Sequence, residues 1–264
     1  MDERFALNTP GPEPADPIIA LETRVLPQPN HVEAKAAIAR LHTRCQPPGS
    51  PPLKARALLI VGAPGAGKTT ALEDYQRDHP DVTLESGSGT SAPADALRDA
   101  DIRRIVYVEA PKRTTQRALV AALLGAFGYR ASDHWNTSDI IERIEFYADQ
   151  MRTEMIFIDE GHHMVSSTQP EQTEDVAEFI KSLLNRTKRQ IVIAGLPGLL
   201  QITRYRQLHR RLQPAVILAP YNWGTRSGRL HFSLLLATFE KMLDLPEPSG
   251  LAVVVRQLMR KAGS

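Results

Sequence analysis

Gly62-Ala63-Pro64-Gly65-Ala66-Gly67-Lys68-Thr69 satisfies the pattern G-x-x-x-x-G-K-[ST] at each fixed position. The apolar run "RALLIV" precedes it and a helix-forming stretch follows, so the segment reads strand, glycine-rich turn, helix. Such a turn curls backbone N–H groups around a phosphate, and the helix N-terminus adds its partial positive charge. These eight residues and Thr70 are the candidate nucleotide-binding set for ATP. Lys68 is placed to reach the β- and γ-phosphates, and Thr69 to ligate Mg2+. Downstream, "EMIFIDEGHH" reads as a buried strand, Met155 to Ile158, ending in Asp159 and Glu160. Asp159 is the second candidate metal residue, and Glu160 the candidate catalytic base that orients or deprotonates water. A carboxylate dedicated to water favours hydrolysis over transfer to a small-molecule acceptor, for which the chain shows no pocket signal.

Three further groups of residues could do chemistry. "RYRQLHRRLQP" offers Arg204, Arg206, Arg210 and Arg211. An arginine there could stabilise charge on the γ-phosphate held by a neighbouring copy, Arg211 being the first candidate and Arg210 the second. The same residues also suit a solvated helical face. Lys112 and Arg113 follow a strand end and precede Thr114 and Thr115, which can cap the next helix. Lys112, Arg113 and Thr114 could clamp a DNA backbone, or form an ordinary surface turn. His162-His163 beside the acidic pair invites a transition metal, but adjacent residues on a helix point apart, which favours a structural or polar-contact role.

The elements that must position these residues show as alternating patterns. "RALLIV", "DVTLES", "RRIVYVEA", "EMIFID" and "QIVIAG" are short β-branched or apolar segments, and a sixth apolar run, "AVILAP", comes later. Their alternation with helical patterns predicts a mostly parallel sheet covered on both faces. Helices are expected within His31–Cys45 and at Lys68–Arg77, Thr115–Phe127, Ser138–Met151, Thr173–Thr187 and Gly198–Leu212. After Tyr221 come a helix over "LHFSLLLATFEKMLDL", a proline stop and a last helix from Gly250 to Lys261. The proline-rich start reads as an extended arm.

Composition sets outer bounds. The 264 residues carry one cysteine, Cys45, which excludes an internal disulfide and fits a reducing compartment. No apolar run approaches the about 20 residues that span a bilayer, and the acidic, proline-bearing N-terminus lacks the marks of a signal peptide. A cytoplasmic protein is therefore expected. The net charge of +2 is unevenly spread: Asp133 to Glu178 holds twelve carboxylates and two basic residues, whereas Phe179 to Phe239 holds ten Lys or Arg and no carboxylate. Such a run suits a solvated face, and a basic stretch this free of acid equally suits phosphate, from nucleic acid or from a neighbour's nucleotide.

The order of these features resembles the TniB family of transposon-encoded ATPases, relatives of TnsC, MuB and IstB within the AAA+ class. The resemblance runs from about Val25 to Leu251 through "VGAPGAGKT", "VYVEAPKRTTQRALVAALLGAFG", "FIDEGHHM", "IVIAGLPGLL", "QLHRRL" and "APYNW" with "LPEPSGL". It implies an ATP- and Mg2+-dependent regulator of DNA transposition that binds double-stranded DNA as a ring or helical filament and recruits a DDE-type transposase. Lys68 and Thr69 would then bind phosphate and Mg2+, Asp159 the metal and Glu160 the water. Arg211 falls at the family's trans-acting arginine, and Lys112 and Arg113 fall where relatives touch DNA. We accordingly expect an α/β, AAA+ P-loop domain with a five-stranded parallel sheet in the order 5-1-4-3-2. It would occupy residues 30–222, after an arm at 1–29 and before a helical lid at 223–264. Two departures stand out. Gly195-Leu196-Pro197 lacks the polar residue that senses the γ-phosphate in the family, so hydrolysis is expected to be weak. The chain also stops at Ser264, early in the implied lid, which is expected to be incomplete. A different class, a loader or regulator of a protein such as a helicase with no DNA contact, is also compatible with the sequence.

Overall fold

In the computed structural model the described residues are 25–26, 28–45, 53–82, 102–112, 115–165, 170–243, 249–251 and 253–255. Residues 29–220 form one compact unit. Its sheet contains β1 (Ala57–Gly62), β2 (Ile105–Glu109), β3 (Met155–Asp159), β4 (Gln190–Gly195) and β5 (Val216–Leu218), all parallel, in the order β5-β1-β4-β3-β2. The 5-1-4-3-2 order is thus present. β1, β3 and β4 are buried at every residue, as strands covered on both faces must be.

Alternation along each strand divides the core into two layers. Leu58 and Ile60 of β1, Met155 and Phe157 of β3, and Val192 and Ala194 of β4 face one helical layer. That layer is α1 (Pro29–His42) and α2 (Lys68–Arg77). Leu59 and Val61, Ile156 and Ile158, and Ile191 and Ile193 face the other. There α3 (Gln116–Ala126), α4 (Thr137–Gln150) and α5 (Pro170–Thr187) pack. Two N-caps fix entry angles: Thr115 accepts from Ala118 N–H, and Asn136 and Asp139 form a reciprocal capping box on α4.

Two expectations need correction. The helix expected over Gly198–Leu212 is a 3-10 helix, Pro197–Arg204, then the four-residue α6 (Arg206–His209), divided at extended Tyr205. The reason is spacing: Leu199, Ile202, Tyr205 and Leu208 recur every third residue and pack on the core, which suits three residues per turn better than 3.6. The apolar run "AVILAP" supplies the edge strand β5, whereas Val82 of "DVTLES" makes only an isolated antiparallel bridge to Ile102. Residues 83–86 of that segment lie outside the described residues.

The second unit comprises 1–28 and 221–264. Its helix α7 (Arg226–Met242) is capped by Thr225, which accepts from Gly228 N–H. Phe232 meets Tyr221 and Trp223 edge-on, and Glu240 accepts from Ser249 and from Gly250 N–H. Most of the expected arm, residues 244–248 and the greater part of the last helix lie outside the described residues. Among those described, no helix is long and apolar enough to cross a membrane.

The two helices beside the phosphate turn are tied by charge. Asp74 of α2 accepts from Lys35 at 2.6 Å and lies 2.9 Å from His31 Nε2, both on α1. Burial alone would push the Asp74 carboxyl up, but the bonds from Lys35 and His31 outweigh it and hold the group below its ordinary range. A depressed carboxyl contributes stability above its ordinary pKa of about 3.9 and loses it as pH falls through the folded value. Asp74→Asn should therefore cost about 1 kcal/mol at neutral pH. Urea melts from pH 3 to 7 should show a smaller acid loss in that variant than in the native chain.

Candidate active site

β1 ends in Gly62, the chain turns through Gly65 (φ 72°) and Gly67 (φ 84°), and α2 starts at Lys68. A residue with a side chain is strained at such angles, so the turn depends on glycine there. Ala63, Pro64, Gly65 and Thr70 are exposed, which leaves the mouth of the turn open. The first N–H groups of α2 have no partner within the helix and point toward that mouth.

Lys68 is 7% exposed, and its ammonium donates to Gly62 O at 3.1 Å and Ala63 O at 3.0 Å. Among the described residues no carboxylate pairs with it. A buried cation held only by carbonyls is an incomplete arrangement, because burying a charge without a counter-charge is costly. A phosphate in the turn would complete it, so the residues present fit a nucleotide.

The metal side is equally specific. Thr69 Oγ1 donates to Asp159 Oδ2 at 2.6 Å, Tyr107 Oη donates to the same oxygen at 2.8 Å, and Glu160 N–H donates to Oδ1 at 2.7 Å. Thr69 and Asp159, remote in sequence, thus meet as hydroxyl and carboxylate, an oxygen set that suits Mg2+. Tyr107 was not singled out from sequence. It is the one hydroxyl in the β2 run, and β2 pairs with β3 so that Tyr107 lies opposite Phe157, two residues short of Asp159. Burial and the bond to Asp159 push its phenol up, which keeps it protonated as a donor.

Glu160 adopts the left-handed conformation (φ 52°), and the 3-10 turn Gly161–Met164 follows directly. Such a backbone costs roughly 1–3 kcal/mol in a residue with a side chain. The turn is held hard against β4: a Cβ at Gly161 would lie 2.4 Å from Ile193 Cγ2, and one at Gly195 would lie 2.8 Å from His162 N. This approach accounts for glycine at the end of β4. Leu196, partly buried, caps the next 3-10 helix and has no side-chain hydrogen-bonding group. Burial and the neighbouring His163 and Lys68 push the His162 imidazole down, against the opposing pull of Glu160 and Asp159.

The arginines occupy a different place. Arg44, Lys54, Arg56, Lys181, Arg206, Gln207, Arg210 and Arg211 line a cleft of about 510 Å³ with no carboxylate among them. It lies at the start of β1, where Ala57 N–H donates to Arg211 O. β1 runs six residues from there to the phosphate turn, a separation of roughly 20 Å. Neither Arg210 nor Arg211 can reach the phosphate turn of its own chain across that distance. Arg211 also donates to Ala55 O at 3.0 Å and to Asn185 Oδ1 at 2.6 Å, whereas Arg210 is exposed with no side-chain partner among the described residues. Lys112 is exposed in the turn after β2; Arg113 and Thr114 lie outside the described residues.

The family model described as bacterial TniB protein matches residues 27–221, most of the chain and all of the site. The chain belongs to the TniB family. Solved structures agree with this TniB chain on the fold. The ADP form of the Aeropyrum pernix ORC2 protein superposes with a TM-score of 0.52 at 15% identity, covering 88% of this chain and 59% of that one. A Walker-type ATPase of Pyrococcus abyssi gives 0.52 at 13% identity, covering 90% and 66%. Cdc6p from Pyrobaculum aerophilum gives 0.51 at 11% identity, covering 84% and 56%. The TniB chain thus has the P-loop ATPase fold and spans 56–66% of the length of these structures. Curated protein sequences give no match.

The close approach of Gly161 to β4 is open to test. Gly161→Ala should lower the urea-unfolding free energy by about 1–3 kcal/mol through overpacking. Gly198→Ala, where an added Cβ meets nothing within 4 Å, should change it far less. Equal effects would show that the contact with Ile193 is readily relieved.

Proposed function

We propose that this TniB chain hydrolyses ATP to control its own assembly on double-stranded DNA, where it recruits a DDE-type transposase. The observation that carries the reading is the meeting of Lys68, Thr69, Asp159 and Glu160 at one end of the sheet in a TniB family member. Lys68 exchanges its carbonyl partners for the β- and γ-phosphates, and the N-terminal N–H groups of α2 bind the same anion. Thr69 and Asp159 would hold Mg2+, which supplies charge neutralisation between the phosphates when bound. Tyr107 keeps the Asp159 carboxylate turned toward Thr69. Glu160 accepts the proton of the attacking water at its carboxylate. With no side-chain donor at Leu196, turnover is slow.

The basic cleft supports assembly in trans. Its arginines lie too far from their own phosphate turn to act there, and on this reading a second copy presents its nucleotide to them. Arg210 is the freer of the two candidates, while Arg211 would first give up Ala55 and Asn185. Lys112, exposed beyond β2, supports contact with the DNA backbone, which positions the protein without reading sequence.

Sedimentation with duplex DNA, with and without ATP and Mg2+, tests the reading. Co-sedimentation should require ATP, weaken with salt in proportion to the phosphates contacted, and vanish in Lys68→Ala. Glu160→Gln should retain ATP and DNA while turnover falls by about a hundredfold or more. Arg210→Ala should lower turnover only under conditions of assembly. A chain that binds ATP and ignores DNA would replace this reading with that of a regulator acting on a protein partner.

A further inference from the structure

Glu160, His162 and His163 each offer a ligand atom, and these atoms all lie within 4.8 Å of one another. Adjacent histidines on an α-helix would diverge; here the left-handed Glu160 and the 3-10 turn bring the two imidazoles to a centroid separation of 4.2 Å. His162 Nδ1 lies 3.0 Å from Glu160 Oε2, a hydrogen-bonding distance, yet this buried nitrogen has no aligned hydrogen-bond partner among the described residues. The ring nitrogen and the carboxylate oxygen are therefore close but not aligned as donor and acceptor. With His162 neutral, both atoms offer lone pairs to a cation, and the second imidazole adds a third.

The donor set selects the cation. Two imidazoles and one carboxylate suit Zn2+, whereas Mg2+ prefers oxygen and retains water. Tetrahedral ligation at ~2.0–2.1 Å sets ligand atoms ~3.3 Å apart, close to the 3.0 Å of the His162–Glu160 pair, and the three donor atoms lie within 4.8 Å of one another. We propose that Glu160, His162 and His163 form a Zn2+ site separate from the Thr69–Asp159 pair, with a fourth position open to water. On the reading of Glu160 as the base for water, Zn2+ takes that carboxylate out of service. The phosphate turn, Thr69 and Asp159 stay free to bind ATP, so the metal arrests the protein in its ATP-bound form.

Co2+ titration of the full chain without nucleotide tests the site, with Zn2+ as competitor. One equivalent should give the intense visible bands of imidazole-ligated, four-coordinate Co2+, and Zn2+ should bleach them. His162→Gln and His163→Gln should each weaken binding by about tenfold or more, with circular dichroism confirming that the variants are folded. Thr69→Ala should leave the bands unchanged. Weak octahedral bands that survive both histidine variants and disappear in Thr69→Ala would overturn the site. In the second arm, Zn2+ buffered against excess Mg2+ should lower ATP turnover of the native chain and spare His163→Gln. Should the native chain prove unable to hydrolyse ATP, the Co2+ spectrum still decides the site, and the arrest falls together with the reading of hydrolysis on which it rests. A formed Co2+ site with no effect of Zn2+ on turnover would overturn the arrest.

Discussion

The carboxylate of Asp159 is the joint on which the site depends. It is 2% exposed and accepts from three directions: the Thr69 hydroxyl on α2, the Tyr107 phenol on β2 and the N–H of Glu160. A buried carboxylate short of donors is costly, so each of these groups is drawn to it. One charge thereby fixes the first turn of the phosphate-binding helix, the register of β2 beside β3, and the departure of the chain at Glu160. The left-handed backbone at Glu160 follows from this, since the N–H must turn back onto Oδ1 while the next residues press against β4.

How far the fold was legible depends on how local the cause is. β1, β3 and β4 were readable as unbroken apolar runs because both of their faces are covered. The helix from Lys68 to Arg77 was readable because glycine precedes it and helix formers fill it. The edges were harder: β5 is three residues long and was one apolar run among several, while "DVTLES" had stronger β-branched character and contributes only a bridge at Val82. The three-residue recurrence from Leu199 to Leu208 was present in the sequence but close enough to helical spacing to be read as one α-helix.

Within the site, the phosphate turn and the acidic pair were legible because their residues are neighbours in sequence. Tyr107 was not, because its role comes from strand register rather than from any motif. The convergence of the histidine doublet was not legible for a similar reason: its geometry is set by the backbone of Glu160 and by a 3-10 turn, neither visible in residue types. The bonds of Arg211 to Ala55 and Asn185 are likewise products of the tertiary fold, as is the gathering of seven cations from distant segments around one cleft.

β1 carries the phosphate turn at its end and the basic cleft at its start. Surfaces this different in chemistry, at opposite ends of one stiff strand, do not make up the single self-complementary patch that a two-fold interface uses. Copies joined cleft to nucleotide would form a head-to-tail interface, which generates a ring or an open filament. Such a filament has direction: one terminus displays a nucleotide with no arginines upon it, the other an empty cleft. Hydrolysis that draws on a neighbour's arginines would then be silent at one terminus alone, and growth and loss of copies would differ between the two.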